Sequence, residues 1–333
     1  MPERIQCVLD GVGDDQEKVR ALVSALGWIP YGTAEPQIRA LLESGSLLQK
    51  YIGIAASAIH RRHPGQILEK VLDDGDPLLV TRALRAFGEL GRGCDLSPFV
   101  LREGLSHDDE ETRFSTAWSA SLAGNQEAVE VLKSLAMQDS PWKEKALELG
   151  LRRMEHKAAL AWQLQLAQAA ATRRLGVQGA GIIVDPVLVP WLLEQMKTPD
   201  LARIAGEAFT MITGADIDRE ELRGMSPEGF EAGPSDDPND CNVAMDPDEN
   251  LPWPDPELIA LWWDKNAGRY VSGARYLIGH PISAEHLRHV LRNGRQRQRA
   301  AAALELAILE PGRPLFEVRA PGFRQIEMLR SAF

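Results

Sequence analysis

Residues 75–93 read GDPLLVTRALRAFGELGRG, and residues 106–124 read SHDDEETRFSTAWSASLAG. Aligning Thr81-Arg82 with Thr112-Arg113 places Ala86 over Ala117 and Gly93 over Gly124, so the stretches repeat with a period of 31 residues. The shared pattern is helical. Asp or Ser before the apolar run offers an oxygen to the first free amides of a helix. Pro fits the first turn, and Gly closes the last. Small alanines on the inner face let neighbouring helices approach closely. One helix pair of this kind cannot bury its own apolar face, so copies must stack.

Further copies extend the pattern toward the C-terminus. Asp139-Ser140-Pro141-Trp142 precedes Ala146–Gly150, Thr198–Arg203 leads into Ala208-Phe209, and Arg295–Ala307 (RQRQRAAAALELA) reads as the last copy. Leu41, Leu42, Leu48, Ile52, Ala55, Ala56 and Ile59 follow helical spacing. Strand-like alternation is nearly absent, with Gly181-Ile182-Ile183-Val184 as the best short exception. The expected fold is all-α, an α-solenoid of short helix-pair repeats. Its expected parts are an N-terminal helical cap (1–34), repeats (35–214), an acidic proline-rich insertion (215–256), and C-terminal helical repeats with a tail (257–333). The glycine spacing of Gly176, Gly179 and Gly181 reads as a hinge between repeats, because the preceding segment is helical and no strand leads into it.

The insertion concentrates the charge. Residues 215–256 hold thirteen carboxylates against Arg219 and Arg223, an excess equal to the formal net charge of −11 of the 333-residue chain. Seven of the 21 prolines also fall there, which excludes one long helix or a central strand. An acidic balance argues against general nucleic-acid binding. No apolar run approaches the length of a membrane span. Met1-Pro2-Glu3-Arg4 has no apolar stretch behind it, so no secretory signal is expected. Cys7, Cys94 and Cys241 are odd in number and far apart, as expected of reduced thiols in a cytoplasmic protein.

Few residues offer chemistry. Asp246, Asp248 and Asn250 fall at positions 1, 3 and 5 of a cation loop with Glu257 at 12, but Leu251 stands where the turn needs glycine. His60 and His63, and His280, His286 and His289, lack metal-ligand spacing and read as solvated or capping. No nucleophile elbow or phosphate loop occurs. No metal, cofactor or catalytic residue is expected. Arg288, Arg292, Arg295, Arg297 and Arg299 form the one basic cluster. It is expected to pair with the acidic insertion, the alternative being phosphate contact. Trp253, between two prolines, is expected to pin the insertion to the body. Asp236, Asp237, Asp240, Asp246 and Asp248 are the carboxylates expected to face that clasp or a partner.

The Asp-then-Arg pattern of Asp76/Arg82, Asp108/Arg113 and Asp200/Arg203 resembles the short form of HEAT-like repeats over roughly 35–214 and 283–310. That resemblance implies that these residues bond between adjacent repeats and set their stacking. The strings PNDCNVAMDPDENLPWPDPE (238–257), LWWDKNAGRYVSGARYLIGHPIS (261–283) and RQRQRAAAALELAILEPG (295–312) are similar to a proteobacterial HEAT-like family encoded beside type VI secretion genes. This implies a bacterial, secretion-linked setting without a chemistry. The expected function is a non-catalytic protein-interaction scaffold, an adaptor, chaperone or immunity-type partner of a secreted effector or secretion component. The alternatives are an enzyme on the same scaffold, marked by carboxylates converging with Trp118 or Trp142, and nucleic-acid binding through Arg288–Arg299.

Overall fold

The computed structural model describes residues 16–230, 232–234, 239, 241 and 243–331. Among these the chain is all-α, with seventeen α-helices and one two-stranded hairpin. Two compact units form: the first joins the described residues up to Arg153 with those from Arg295 onward, and the second spans Met154–Gly294. This division falls elsewhere than the expected borders at 214 and 256.

The first unit opens with α1 (Gln16–Trp28), α2 (Tyr31–Glu43), α3 (Leu47–Ile59), α4 (Ile67–Asp74), α5 (Pro77–Glu89), α6 (Pro98–Leu105), α7 (Glu110–Leu122), α8 (Gln126–Ala136) and α9 (Lys143–Arg153). The second holds α10 (His156–Gln168), α11 (Arg173–Ile183), α12 (Val189–Gln195), α13 (Pro199–Thr213), α14 (Pro256–Asn266), the hairpin β1 (Tyr276–Leu277) and β2 (His280–Pro281), and α15 (Ala284–Asn293). The chain then returns to the first unit with α16 (Gln296–Leu309) and α17 (Gly322–Ser331).

In the first unit α3, α5, α7 and α9 pack side by side in succession. Helix α2 covers α3, α4 covers α5, α6 covers α7, and α8 lies against α7 and α9. The caps do what the sequence requires: Ser46, Asp76, Ser97, Asp109 and Asn125 each accept a bond from an amide three residues on. Equivalent positions of the 31-residue repeat bond to each other. The Thr81 and Thr112 hydroxyls lie 2.6 Å apart, and the Gly88 amide donates to Ser119 Oγ at 3.1 Å. That hydroxyl in turn donates to the Leu84 carbonyl at 2.7 Å. A methyl group at Gly88 would sit 2.4 Å from Ser119 Oγ and 2.5 Å from the Trp118 ring, so the helices meet where a side chain is missing.

Charge runs along the same row of helices. Glu89 is held by Arg82 at 2.7 Å and Arg85 at 3.5 Å. The Arg85 guanidinium lies 3.5 Å from the centre of the Trp118 ring, and Trp142 stacks on Phe114 at 4.6 Å. Burial works to raise the Glu89 pKa, but Arg82, Arg85 and Arg61 overcome it and push it down to about 2. Burial lowers Arg85 to about 10, which leaves it cationic at neutral pH. Helix α16 belongs to this unit because Glu305 on it meets Arg152 on α9 at 3.4 Å, with both side chains buried. A buried charge of either sign needs its counter-charge nearby.

In the second unit α11 packs between α10 and α13. The glycine-rich stretch expected as a hinge lies inside α11, and the strand-like Gly181–Ile183 forms its last turn. The glycines serve packing: a methyl group at Gly181 would meet Ala208 of α13 at 3.1 Å. The hairpin caps α13, with the Ile278 and Gly279 amides donating to the Met211 and Ile212 carbonyls at 2.8 and 3.1 Å. Fully buried Asp185 ties α10 to the segment before β1. It lies 2.7 Å from His156 Nε2 and accepts from the Val187 and Gly273 amides.

Two measurements check the first unit. Replacing Gly88 with Ala should cost about 1–3 kcal/mol in urea denaturation, because the added methyl overpacks the α5–α7 contact. The depressed Glu89 pKa contributes stability that is present above its unfolded value of 4.5 and lost as pH falls toward about 2. Glu89→Gln should therefore destabilise the protein by about 3 kcal/mol at neutral pH, and the gap should close across that acid window.

Candidate functional site

The acidic insertion leaves α13 and returns to α14 through a zipped neck. The Gly224 amide donates to the Trp253 carbonyl at 2.9 Å, and the Asp255 amide donates to the Leu222 carbonyl at 2.8 Å. Arg223 and Pro254 form an antiparallel bridge between these bonds. Proline suits the outer side of such a pair, because it has no amide to offer. Leu222 and Leu251 are buried beneath the neck.

Two arginines of the helical body grip the returning arm. Arg174, at the start of α11, makes a bidentate pair with Asp248, at 2.8 and 2.7 Å. Buried Arg203, on α13, donates to an Asp246 carboxylate oxygen at 2.5 Å and to the Asp248 carbonyl at 3.0 Å. Its guanidinium lies 4.7 Å from the centre of the Trp253 ring and 5.7 Å from that of Phe230, and these rings meet edge to face at 5.1 Å. Aromatic faces stabilise a desolvated cation through their quadrupoles. Burial works to raise the Asp246 pKa, but the Asp248 amide, Arg203 and Arg174 hold it below its ordinary value. Asp246 Oδ1 accepts that amide at 2.9 Å, fixing the turn that aims both carboxylates at the arginines.

Away from this clasp the insertion turns apolar side chains outward. Met225, Val243 and Met245 are 91%, 84% and 66% exposed. Exposed Glu228 and Glu249 lie in the same segment. On α14 the Trp262 indole donates to the Glu220 carboxylate, while its ring packs edge to face on Phe209 at 5.5 Å.

Trp253, between its two prolines, lies with its ring against Arg203 of the helical body. The clasp described here closes on Arg174 and Arg203, where the sequence pointed to the basic cluster. That cluster is divided: Arg288 and Arg292 lie on α15 of the second unit, whereas Arg295 precedes α16 of the first and Arg297 and Arg299 lie on it. Arg299 donates to Gln325, and the Arg295 amide donates to Gln298 at 2.9 Å. Asp236, Asp237 and Asp240 lie outside the described residues.

The Asp-then-Arg pairs take other roles than repeat stacking. Asp76 caps α5, while Arg82 turns to Glu89 two helical turns further on. Asp109, rather than Asp108, caps α7, and Arg113 donates to the Asp108 carbonyl at 3.2 Å. The Asp200 carbonyl accepts from Arg174 at 3.3 Å, and Arg203 grips the insertion. The first two carboxylates of the possible cation loop are thus engaged by guanidinium groups. Among the described residues no three His, Cys, Asp or Glu side chains converge to hold a metal ion. Of the histidines expected to be solvated or capping, His60 is the C-cap residue of α3 and is buried there, and His286 Nε2 lies 2.6 Å from the Leu277 carbonyl. Sequence reasoning missed Arg174 and Asp185, whose partners lie 74 and up to 88 residues away. No family model, curated protein or solved structure matches the chain.

Removing either clasp carboxylate should destabilise the second unit. Asp246→Ala strands the buried Arg203 charge and should cost about 3 kcal/mol, while Asp248→Ala, facing the part-exposed Arg174, should cost about 2 kcal/mol. Urea denaturation followed by tryptophan fluorescence measures both.

Proposed function

We propose that this protein is a non-catalytic interaction scaffold that presents the 215–256 insertion to a protein partner. One observation carries the reading: the insertion is anchored by buried charge pairs, yet turns Met225, Val243 and Met245 to solvent amid carboxylates. An anchored apolar edge loses little conformational freedom on binding. Exposed apolar side chains in acidic surroundings suit a partner that combines a hydrophobic patch with lysines or arginines. The protein thereby acts as an adaptor, chaperone or immunity-type partner. Similarity of 238–257, 261–283 and 295–312 to the family encoded beside type VI secretion genes supports a bacterial cytoplasmic setting and a secreted effector or secretion component as the partner. Among the described residues no helix is long and apolar enough to cross a membrane.

The enzyme reading has less support. Arg85, held by Glu89, lies on Trp118, but at a pKa of about 2 Glu89 is a fixed counter-ion rather than a proton donor matched to neutral pH. Phosphate contact through Arg288–Arg299 has no observation that favours it over protein binding.

Affinity capture from a host lysate tests the proposal. Val243→Asp with Met245→Asp should leave the melting temperature unchanged and reduce recovery of the partner about tenfold or more. Undiminished capture by this double variant would refute the assignment of the edge.

A further inference from the structure

The first unit contains a pocket of about 380 Å³ walled by α1, α3, α5 and the segment from Glu317 to Arg324. A volume of several hundred Å³ suits a small organic ligand. Val23, Trp28, Tyr51, Ala55 and Ile59 give it an apolar side. Its charged lining is Arg20, Arg82, Arg319 and Arg324 against Glu89 and Glu317. Both carboxylates already have arginine partners: Glu89 is held by Arg82 and Arg85, and Glu317 is bound by Arg61 at 3.0 Å. The remaining lining charge is positive, in a chain whose formal net charge is −11.

Arg324 makes this more than a basic rim. It is only 8% exposed. Its Nη1 is spent on the Gly27 carbonyl at 2.8 Å and on His60 Nδ1 at 3.0 Å. Its Nε has no hydrogen-bond partner among the described residues. That Nε is closed to solvent, so the amino group Nη2 is the part of the guanidinium left for a ligand, and a carboxylate there makes a charge-assisted bond to a buried cation. His60 fixes the group's orientation. Its Nε2 lies 2.9 Å from the Leu26 carbonyl and must carry the proton there, so Nδ1 is left as the acceptor for Arg324. Burial, with Arg324 and Arg62 nearby, lowers the His60 pKa and supports that neutral form, against the raising effect of the Leu26 bond.

We propose that this pocket binds an organic acid that carries one carboxylate on an apolar or aromatic body. The carboxylate meets Arg324, with Arg319 and Arg20 adding positive field. The body lies along Tyr51, Ala55 and Ile59. That chemistry has two sources, a free small acid or the C-terminal carboxylate of a peptide ending in an apolar residue. The inference concerns the first unit alone and does not rest on the role proposed for the insertion.

Calorimetric titration of the full chain tests it with 4-phenylbutyrate, the neutral isostere 4-phenylbutanol, inorganic phosphate, and a hexapeptide ending in Leu-Phe as free acid and as amide. Either the small acid or the free-acid peptide should bind, at least about tenfold more tightly than its uncharged counterpart. Whichever binds identifies the source. Arg319→Glu and Arg20→Glu change exposed side chains and should each weaken binding about fivefold or more, and Arg324→Met should abolish it. Because Arg324→Met also removes bonds to Gly27 and His60, the two surface variants decide the matter. No binding of either acid at about 1 mM would overturn the proposal. So would equal binding of the uncharged counterparts, equal competition by inorganic phosphate, or affinity unchanged in both surface variants.

Discussion

A buried guanidinium must bring its counter-charge with it, and in the second unit that constraint decides where the acidic insertion goes. Arg203 projects from α13 into a site lined by Trp253 and Phe230. Left unpaired there it would be strongly destabilising. Asp246 and the Asp248 carbonyl answer it from the insertion, and Arg174 answers the Asp248 carboxylate in turn. The result is a linked set in which Asp248 and Asp246, joined by the Asp248 amide, sit between the guanidinium groups of Arg174 and Arg203, and it fixes the last turn of the insertion before Trp253. The neck bonds between Leu222–Gly224 and Trp253–Asp255 then follow from geometry, because both ends are already side by side. What is left over, Val243 and Met245 among acidic neighbours, faces solvent by default.

The first unit meets the same electrostatic problem by other means. Its successive inner helices approach through Gly88 and small hydroxyl residues, which leaves little room for long side chains at the contact. The arginines of α5 therefore lie flat, Arg85 over Trp118 and Arg82 along its own helix to Glu89. The chain's return segment is drawn onto the same row, since Arg61 binds Glu317 and the Leu315 amide donates to the Glu89 carbonyl at 3.0 Å. Packing of apolar repeats and pairing of buried charges thus choose the same neighbours.

The fold was legible in the sequence where local chemistry determines it. The 31-residue period shows in the letters because Thr81 and Thr112, and Gly88 and Ser119, touch their own equivalents. The cap at Asp76 was equally readable, since a cap acts within three residues. The arginine partners were not. A side chain as long as arginine selects among carboxylates that the fold, rather than the sequence, brings near. Arg203 has Asp200 three residues away yet pairs with Asp246, and nothing around Arg174 announces Asp248. The glycines of α11 misled for a related reason: the spacing that makes a loop flexible also lets two helices close on each other. Trp253 was readable because flanking prolines exclude it from a helix and leave docking as its use. The pocket beneath Arg324 had no sequence signal, for its walls come from both ends of the described chain.

The described part of the acidic insertion is thus an arm locked by buried arginine–carboxylate pairs and not a solvated acidic tail. Amide hydrogen exchange of the wild-type protein tests it most directly. The Gly224, Leu251 and Asp255 amides, which donate to Trp253, Asp248 and Leu222 carbonyls, should exchange far more slowly than exposed backbone. In Arg203→Met that protection should fall while the amides of α10 and α11 keep theirs. Exchange of those three amides at the rate of an unstructured chain in the wild type would contradict the account.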